Sequence, residues 1–188
     1  MSGKVYLDRL NEIMNGIAVT DRESNNVDYD NAIQLSIDKM QQAHNTGRKV
    51  MFIGNGGSAA IASHSSTDYF KNGGIRTISF NEPTLLTCIG NDYGYEEVFT
   101  KPIEMLAVAG DILVAISSSG KSPNILNAVN AARDLGCGII TLSGFSPDNR
   151  LRTLGDINFY VPSGKFGYVE LGHQIILHSI VDIMKGYY

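Results

Sequence analysis

A regular alternation of short apolar runs and longer amphipathic segments constrains the fold of this chain more than any other feature. Five apolar runs, each of four or five residues and rich in β-branched side chains, occupy residues 50–53, 77–80, 112–116, 138–142 and 157–161. Segments whose apolar residues recur at helical spacing lie between most of these runs, at residues 58–71, 95–108 and 122–135, and a last one follows them at residues 167–184. Uninterrupted apolar strands between helices are typical of a parallel sheet covered on both faces. The pattern therefore predicts an α/β fold, a three-layer α/β/α sandwich around a mostly five-stranded parallel sheet.

The first 48 residues show helical periodicity only. Leu7, Leu10 and Met14 recur at helical spacing, as do Ile33 and Ile37 further on, with a polar break at residues 20–26 between the two segments. A helical hairpin is expected before the α/β core. Because 188 residues suffice for one sizeable core and are few for two, we expect a single domain, residues 1–188, with helices at 1–48 and the core at 49–188.

Composition excludes several functional classes. The formal net charge is −4 and no run of like charges occurs, which argues against a basic face for nucleic acid. No apolar stretch approaches the roughly 20 residues that span a bilayer, and the N-terminus lacks the apolar region of a signal peptide. Cys88 and Cys137 are too few for a disulfide framework, so two reduced, buried thiols in a cytoplasmic protein are expected.

A glycine-rich loop follows the first predicted strand of the core. The sequence reads Gly54-Asn55-Gly56-Gly57-Ser58-Ala59 and runs directly into a predicted helix. Glycines expose backbone N–H groups, and the helix start adds partial positive charge, so an anion site without a cation is predicted. The spacing also fits a dinucleotide fingerprint, but Glu82, the candidate ribose ligand, lies 26 residues after Gly56 and precedes a proline. A purely structural tight turn is the other alternative.

A serine-rich loop follows the third predicted strand, at Ser117-Ser118-Ser119-Gly120-Lys121-Ser122. A helix cap needs one serine, here Ser122, whereas four serines and a glycine supply the hydroxyl and amide donors that a phosphate requires. The loop is not a Walker motif, because Ala115 stands where that motif needs its first glycine. Phosphate binding is the favoured interpretation.

The motifs "GNGGSA", "IGNDYG" at Ile89–Gly94 and "ISSSGKSPN" together resemble the SIS (sugar isomerase) domain family, and within it the phosphoheptose isomerases, over nearly the whole chain. The family's serine loop reads S-T-S-G, so Ser118 is a departure. The resemblance implies that the phosphate is bound by the glycine and serine loops and the sugar hydroxyls by asparagine and aspartate side chains, with the substrate contacts being Asn55, Gly56, Gly57, Ser58, Asn91, Asp92, Ser117, Ser118, Ser119 and Ser122.

His64 and Asp68 lie four residues apart on the helix after the glycine loop, and so share one side of it. Such a pair can hold a metal, relay a proton, or form a surface salt bridge, and the residues alone leave these alternatives open. The resemblance implies that both are ligands of Zn²⁺ and that Asp68, where the family has glutamate, is a catalytic group.

The last predicted helix carries Glu170, His173, Gln174 and His178. The resemblance implies that Glu170, where the family has glutamine, and His178 are metal ligands and that His178 transfers protons. Because it is a carboxylate, Glu170 is also an alternative base. On a straight helix Glu170 and His178 are about 12 Å apart along the axis, so helix geometry alone favours Gln174 with His178. We expect His173 to be structural.

The implied activity is an aldose–ketose isomerase that converts sedoheptulose 7-phosphate to D-glycero-D-manno-heptose 7-phosphate in heptose biosynthesis. One Zn²⁺ per site and a homotetramer with sites between subunits are implied in the same way. Two alternatives stay open: isomerisation of another ketose phosphate, and a non-catalytic module that binds a phosphosugar or a protein.

Overall fold

A seven-stranded sheet forms the centre of the structure, a computed structural model that describes residues 2–187. The strands are β1 (Ala18–Asp21), β2 (Asn26–Val27), β3 (Val50–Gly54), β4 (Thr77–Ser79), β5 (Ile112–Ser117), β6 (Gly138–Ser143) and β7 (Ile157–Tyr160). They lie in the order β2-β1-β7-β6-β5-β3-β4. Strands β3 to β7 are parallel, as the alternating pattern predicts, and β1 runs antiparallel to both β7 and β2.

The helices flank this sheet. They are α1 (Gly3–Asn15), α2 (Tyr29–Asn45), α3 (Gly57–Lys71), α4 (Pro83–Asp92), α5 (Thr100–Leu106), α6 (Pro123–Asp134) and α7 (Phe166–Lys185). No helix within residues 2–187 has both the length and the apolar character needed to cross a membrane.

Central strand β5 shows why the fold has three layers. All six of its residues are buried. Val114 packs into a core shared with the side chains of α2, α3 and α7, whereas the next residue, Ala115, packs into a second core with those of α5 and α6. Because successive side chains point to opposite faces of a strand, an apolar run buried throughout needs helices on both faces. The three-layer α/β/α prediction is confirmed.

The sheet has two more strands than the five predicted. Between α1 and α2 the polar segment forms the hairpin β1–β2, which extends the sheet at β7. Val19 pairs with Phe159 in that register and is buried, and the Asn158 side chain donates to the carbonyl groups of Thr20 and Asp21. The first two helices therefore do not form a simple hairpin.

Helix α4 was not predicted from the sequence pattern; it begins before the "IGNDYG" motif and ends with the first four residues of that motif. Glu82 caps this helix, because its carboxylate accepts a hydrogen bond from the Leu85 N–H at 2.7 Å, and that bond lowers the pKa of Glu82. Glu82 thus has a structural role instead of a ribose-binding one. The predicted helix at residues 95–108 is shorter, a 3₁₀ turn at Tyr95–Glu97 followed by α5.

Both cysteines are free thiols, but only Cys137 is buried. Burial raises the pKa of the Cys137 thiol to about 11, so this thiol stays protonated and unreactive at neutral pH. The expectation of a buried Cys88 is wrong, because this residue lies exposed on α4.

Candidate active site

A cavity of about 280 Å³ opens at the carboxyl ends of β3 and β5, where α3, α6 and α7 begin. The glycine loop, the serine loop and the first turns of α7 all contribute to its wall. The lining residues are Asn55, Gly56, Gly57, Ser58, Ile116, Ser117, Ser118, Ser119, Ser122, Phe166 and Glu170. Eight of the ten residues predicted to contact substrate therefore lie in one cavity.

The glycine loop leaves the start of α3 open to a ligand. Gly56 has a φ of +54°, and no side chain caps the helix after it. At Gly54 a Cβ would collide with the Ser58 carbonyl, so only glycine allows the strand to turn this tightly into the helix. The first two N–H groups of α3, those of Gly57 and Ser58, are thus available to an anion.

The serine loop contains more polar groups than its own structure uses. The Ser117 hydroxyl accepts from the Gly120 N–H at 3.2 Å, and the Ser119 hydroxyl accepts from the Lys121 N–H at 3.3 Å. By contrast, the hydroxyl of Ser118 is buried without a partner, and Ser122 precedes α6 without capping it. A buried hydroxyl without a partner is costly, and a phosphate oxygen in the cavity is the kind of partner it lacks.

Asn55 is held in place by two neighbours. Its side-chain amide exchanges hydrogen bonds of 2.9 Å with Asn124 on α6, and its Oδ1 also accepts from the Tyr95 hydroxyl at 3.1 Å. Neither Asn124 nor Tyr95 was predicted as a site residue, because both lie far along the chain from Asn55. This network fixes the orientation of Asn55 at the cavity wall.

Glu170 lies on the first turns of α7 and points at the start of α3. A Cβ on Gly57 would collide with the Glu170 carboxylate, so the glycine provides the space that this acid occupies. A carboxylate is therefore part of a cavity that otherwise offers hydroxyls and amides.

Three predicted metal ligands come together further along the same two helices. The ligand atoms of His64, Asp68 and His178 all lie within 4.8 Å of one another. His178 Nδ1 is 3.3 Å from Asp68 Oδ2, and the two imidazole rings are 5.3 Å apart. Glu170 is not part of this group.

The donor set fits the implied Zn²⁺. Two imidazoles and one carboxylate are typical zinc ligands, and three protein ligands leave a position open for substrate. The group is also accessible, since the His178 side chain is 41% exposed, whereas Asp68 is only 13% exposed and receives a hydrogen bond from Asn72. Such a bond orients the carboxylate, as partners of metal ligands commonly do.

The cavity and the histidine–aspartate group lie along one pair of packed helices. On α3, Gly57 lies at the cavity and His64 at the group, and on α7 the corresponding residues are Glu170 and His178. Separations of seven and eight residues correspond to roughly 10–12 Å along a helix axis. The phosphate cavity and the histidine–aspartate group are thus about two helical turns apart.

Two of the predicted contacts lie elsewhere. Asn91 and Asp92 end α4, are exposed, form a side-chain hydrogen bond with each other and do not line the cavity.

His173 has the predicted structural role: it is fully buried, its Nε2 lies 3.1 Å from the Ser143 carbonyl, and burial lowers its pKa to about 4. Of the cavity residues, Ile116 and Phe166 were not predicted, since neither carries a polar group.

Comparisons with known proteins agree with this geometry. Residues 6–144 match the SIS domain family. The chain is 39% identical over 160 residues to a phosphoheptose isomerase from Helicobacter hepaticus, covering 82% of this chain and 81% of that protein. It is 41% identical over 144 residues to one from Aliarcobacter butzleri, covering 73% and 76%. Among solved structures, the phosphoheptose isomerase from Neisseria gonorrhoeae superimposes with a TM-score of 0.78 at 30% identity, covering 83% of this chain and 86% of that one. The chain therefore belongs to the SIS domain family and, within it, to the phosphoheptose isomerases.

Proposed function

We propose that residues 1–188 act as one domain that isomerises sedoheptulose 7-phosphate to D-glycero-D-manno-heptose 7-phosphate. The observation that carries this proposal is the placement of an anion cavity and a His–Asp–His group along the α3–α7 pair. An open-chain seven-carbon phosphosugar is long enough to put its phosphate in the cavity while its C1–C2 end approaches the group. Binding energy from the remote phosphate then orients the reacting carbons.

The phosphate end is assigned to the two loops. The hydroxyls of the cavity serines donate to the phosphate oxygens, together with the N–H groups of Gly56 and Gly57 at the start of α3. Asn55, held by Asn124 and Tyr95, is positioned to contact a sugar hydroxyl. Asn91 and Asp92 stay predicted sugar contacts, but they take no part in this step because they lie outside the cavity.

The proton steps are assigned to Asp68 and His178. Conversion of a ketose to an aldose removes a proton from C1 and returns one to C2, while a second proton moves between the two oxygens. Asp68 transfers the proton between the carbons, and His178, 3.3 Å away, transfers the one between the oxygens. Glu170 is a less suitable base, because its carboxylate lies at the phosphate end, over Gly57.

Zn²⁺ is the proposed metal, held by His64, Asp68 and His178. When bound, it supplies a Lewis acid that polarises the sugar carbonyl. Asp68 would thus serve both as a ligand of the ion and as the group that transfers the proton between the carbons. Glu170, the fourth ligand implied by the resemblance, lies outside the group in this structure.

A homotetramer with sites between subunits is the proposed assembly, in the cytoplasm and in heptose biosynthesis. Large apolar side chains are exposed on the two helices that carry the histidine–aspartate group: Phe70 is 68% exposed, Leu171 41% and Ile175 39%. Apolar surface of this kind favours contact with another subunit. A second copy of the chain would cover the exposed side of the site.

The decisive experiment measures turnover of a panel of ketose phosphates by the purified protein, before and after treatment with a chelator. The expected result is conversion of sedoheptulose 7-phosphate that the chelator abolishes and added Zn²⁺ restores. If only a different ketose phosphate were turned over, the protein would be an isomerase of that sugar phosphate instead. If the protein bound zinc and a phosphosugar but converted no phosphosugar, it would be a non-catalytic binding module. The retained histidine–aspartate group argues against that alternative.

A further inference from the structure

An exposed aromatic ring lies at the mouth of the phosphate cavity. Phe166 is the first residue of α7, is 62% exposed, and lines the cavity. It lies four residues before Glu170, so both occupy the cavity-facing side of the helix. The ring has no donor for a phosphate oxygen, so its chemistry suits a different part of a ligand.

A second aromatic residue supports this ring. Phe145, in the loop after β6, packs edge-on against Phe166 with ring centroids 4.8 Å apart and an interplanar angle of 76°. This is the edge-to-face geometry that aromatic pairs prefer. Phe166 is therefore exposed on one side and supported on the other.

The backbone of Phe145 adopts a conformation that a bulky residue rarely takes, with a φ of +57°. Hydrogen bonds on both sides hold it there: its N–H donates to the Ser163 carbonyl at 2.9 Å, and its carbonyl accepts from the Tyr160 hydroxyl at 3.0 Å. The preceding N–H, of Gly144, donates to the Ser118 carbonyl in the serine loop. Strained residues fixed by their surroundings in this way cluster at ligand sites.

From these observations we infer that Phe166, supported by Phe145, is a specificity-determining residue that packs against the C–H groups of the carbon chain next to the phosphate. The inference rests on the proposed function, since it assumes that the cavity holds the phosphate of a sugar phosphate. The hydroxyls and amides of the cavity recognise any phosphate, whereas the aromatic wall recognises the carbon skeleton attached to it. The site consequently discriminates phosphate monoesters from inorganic phosphate.

The test compares two ligands, inorganic phosphate and sedoheptulose 7-phosphate, in the metal-loaded protein and its Phe166→Ala variant. Loss of the contact between the ring and the carbon chain is expected to weaken sugar phosphate binding roughly tenfold, mainly in KM, with little change in kcat. The affinity for inorganic phosphate should change by less than about twofold, because no phosphate oxygen contacts the ring. Phe166→Tyr should restore binding of the sugar phosphate.

Two further variants serve as support and control. Phe145→Gly removes the second ring at a φ that glycine adopts freely, so the variant should fold and show a smaller loss of the same selectivity. Met105→Ala, at a residue that is 82% exposed on α5 and outside the cavity, should leave both affinities unchanged. Sedimentation of each variant establishes whether its assembly matches that of the parent protein.

Equal weakening of both ligands by Phe166→Ala, or no change in either, would overturn the inference. Glucose 6-phosphate and ribose 5-phosphate are measured in parallel. If the parent protein binds one of these and neither binds nor turns over sedoheptulose 7-phosphate, the proposed substrate is rejected, and the Phe166 comparison is decided on the sugar phosphate that binds.

Discussion

His178 Nδ1 lies 3.3 Å from Asp68 Oδ2, across the contact between α7 and α3. The second oxygen of Asp68 accepts from the side chain of Asn72, the residue that caps the C-terminus of α3. This arrangement orients the carboxylate toward the histidine, so the shorter side chain of aspartate still reaches its partner. The pair couples the proposed metal site to the proposed proton transfer.

His178→Ala should lower kcat by a factor of about 10² or more, because a general acid–base group typically contributes 10²- to 10⁴-fold. Binding of inorganic phosphate should be retained, since His178 lies about 12 Å along α7 from Glu170 and the cavity. Initial rates and phosphate titrations measure the two quantities. Ser179→Ala, at the neighbouring position, is the control, and activity retained in the His178 variant would refute its role.

His64→Ala should reduce the zinc content of the protein, because it removes one of the three side chains whose ligand atoms lie within 4.8 Å of one another. Mass spectrometry of metal released from the purified protein gives the stoichiometry independently of turnover. His44→Ala, which changes a histidine outside the group, should keep about one zinc per chain. Unchanged zinc in the His64 variant would mean that the metal is held elsewhere.

Glu170→Gln should tighten the binding of inorganic phosphate, roughly threefold to tenfold, since it removes a negative charge from the cavity while keeping the shape of the side chain. The effect should shrink at high ionic strength. Glu104→Gln, an equal charge change on α5 outside the cavity, controls for net charge. If Glu170→Gln instead reduced the zinc content, Glu170 would be a metal ligand, as the family resemblance implies.

The loops after β3 and β5 were predictable because each consists of a few consecutive residues whose chemistry is local. Gly56 and Ser117 lie in short motifs at strand ends, and parallel strands bring those ends to one edge of the sheet. By contrast, the Asn55–Asn124 hydrogen bonds join residues 69 positions apart. Only the packing of α6 against the glycine loop brings them together, and no spacing in the sequence indicates that.

The missed elements have local reasons. Strand β1 is four residues long with two buried positions, too short to show a clear alternation. Helix α4 starts at Pro83, which looks like a loop residue but suits the first position of a helix. The direction in which the Glu170 side chain points depends on how α7 packs against α3. Helical spacing in the sequence gives the position of Glu170 along α7, but it does not give the contact between its carboxylate and Gly57.

The free energy of unfolding should fall as the pH is lowered from about 6.5 to 4, in part because of His173. Burial lowers the pKa of this imidazole from 6.5 to about 4. Between these pH values the imidazole therefore stays neutral in the folded protein, whereas in the unfolded chain it gains a proton. Stability is thus fully present above pH 6.5 and lost toward pH 4, by about 3 kcal/mol for His173 alone. Urea denaturation at several pH values measures it. His173→Gln keeps a donor for the Ser143 carbonyl but does not titrate, so its curve should be flatter than that of the parent protein; parallel curves would show that His173 does not contribute.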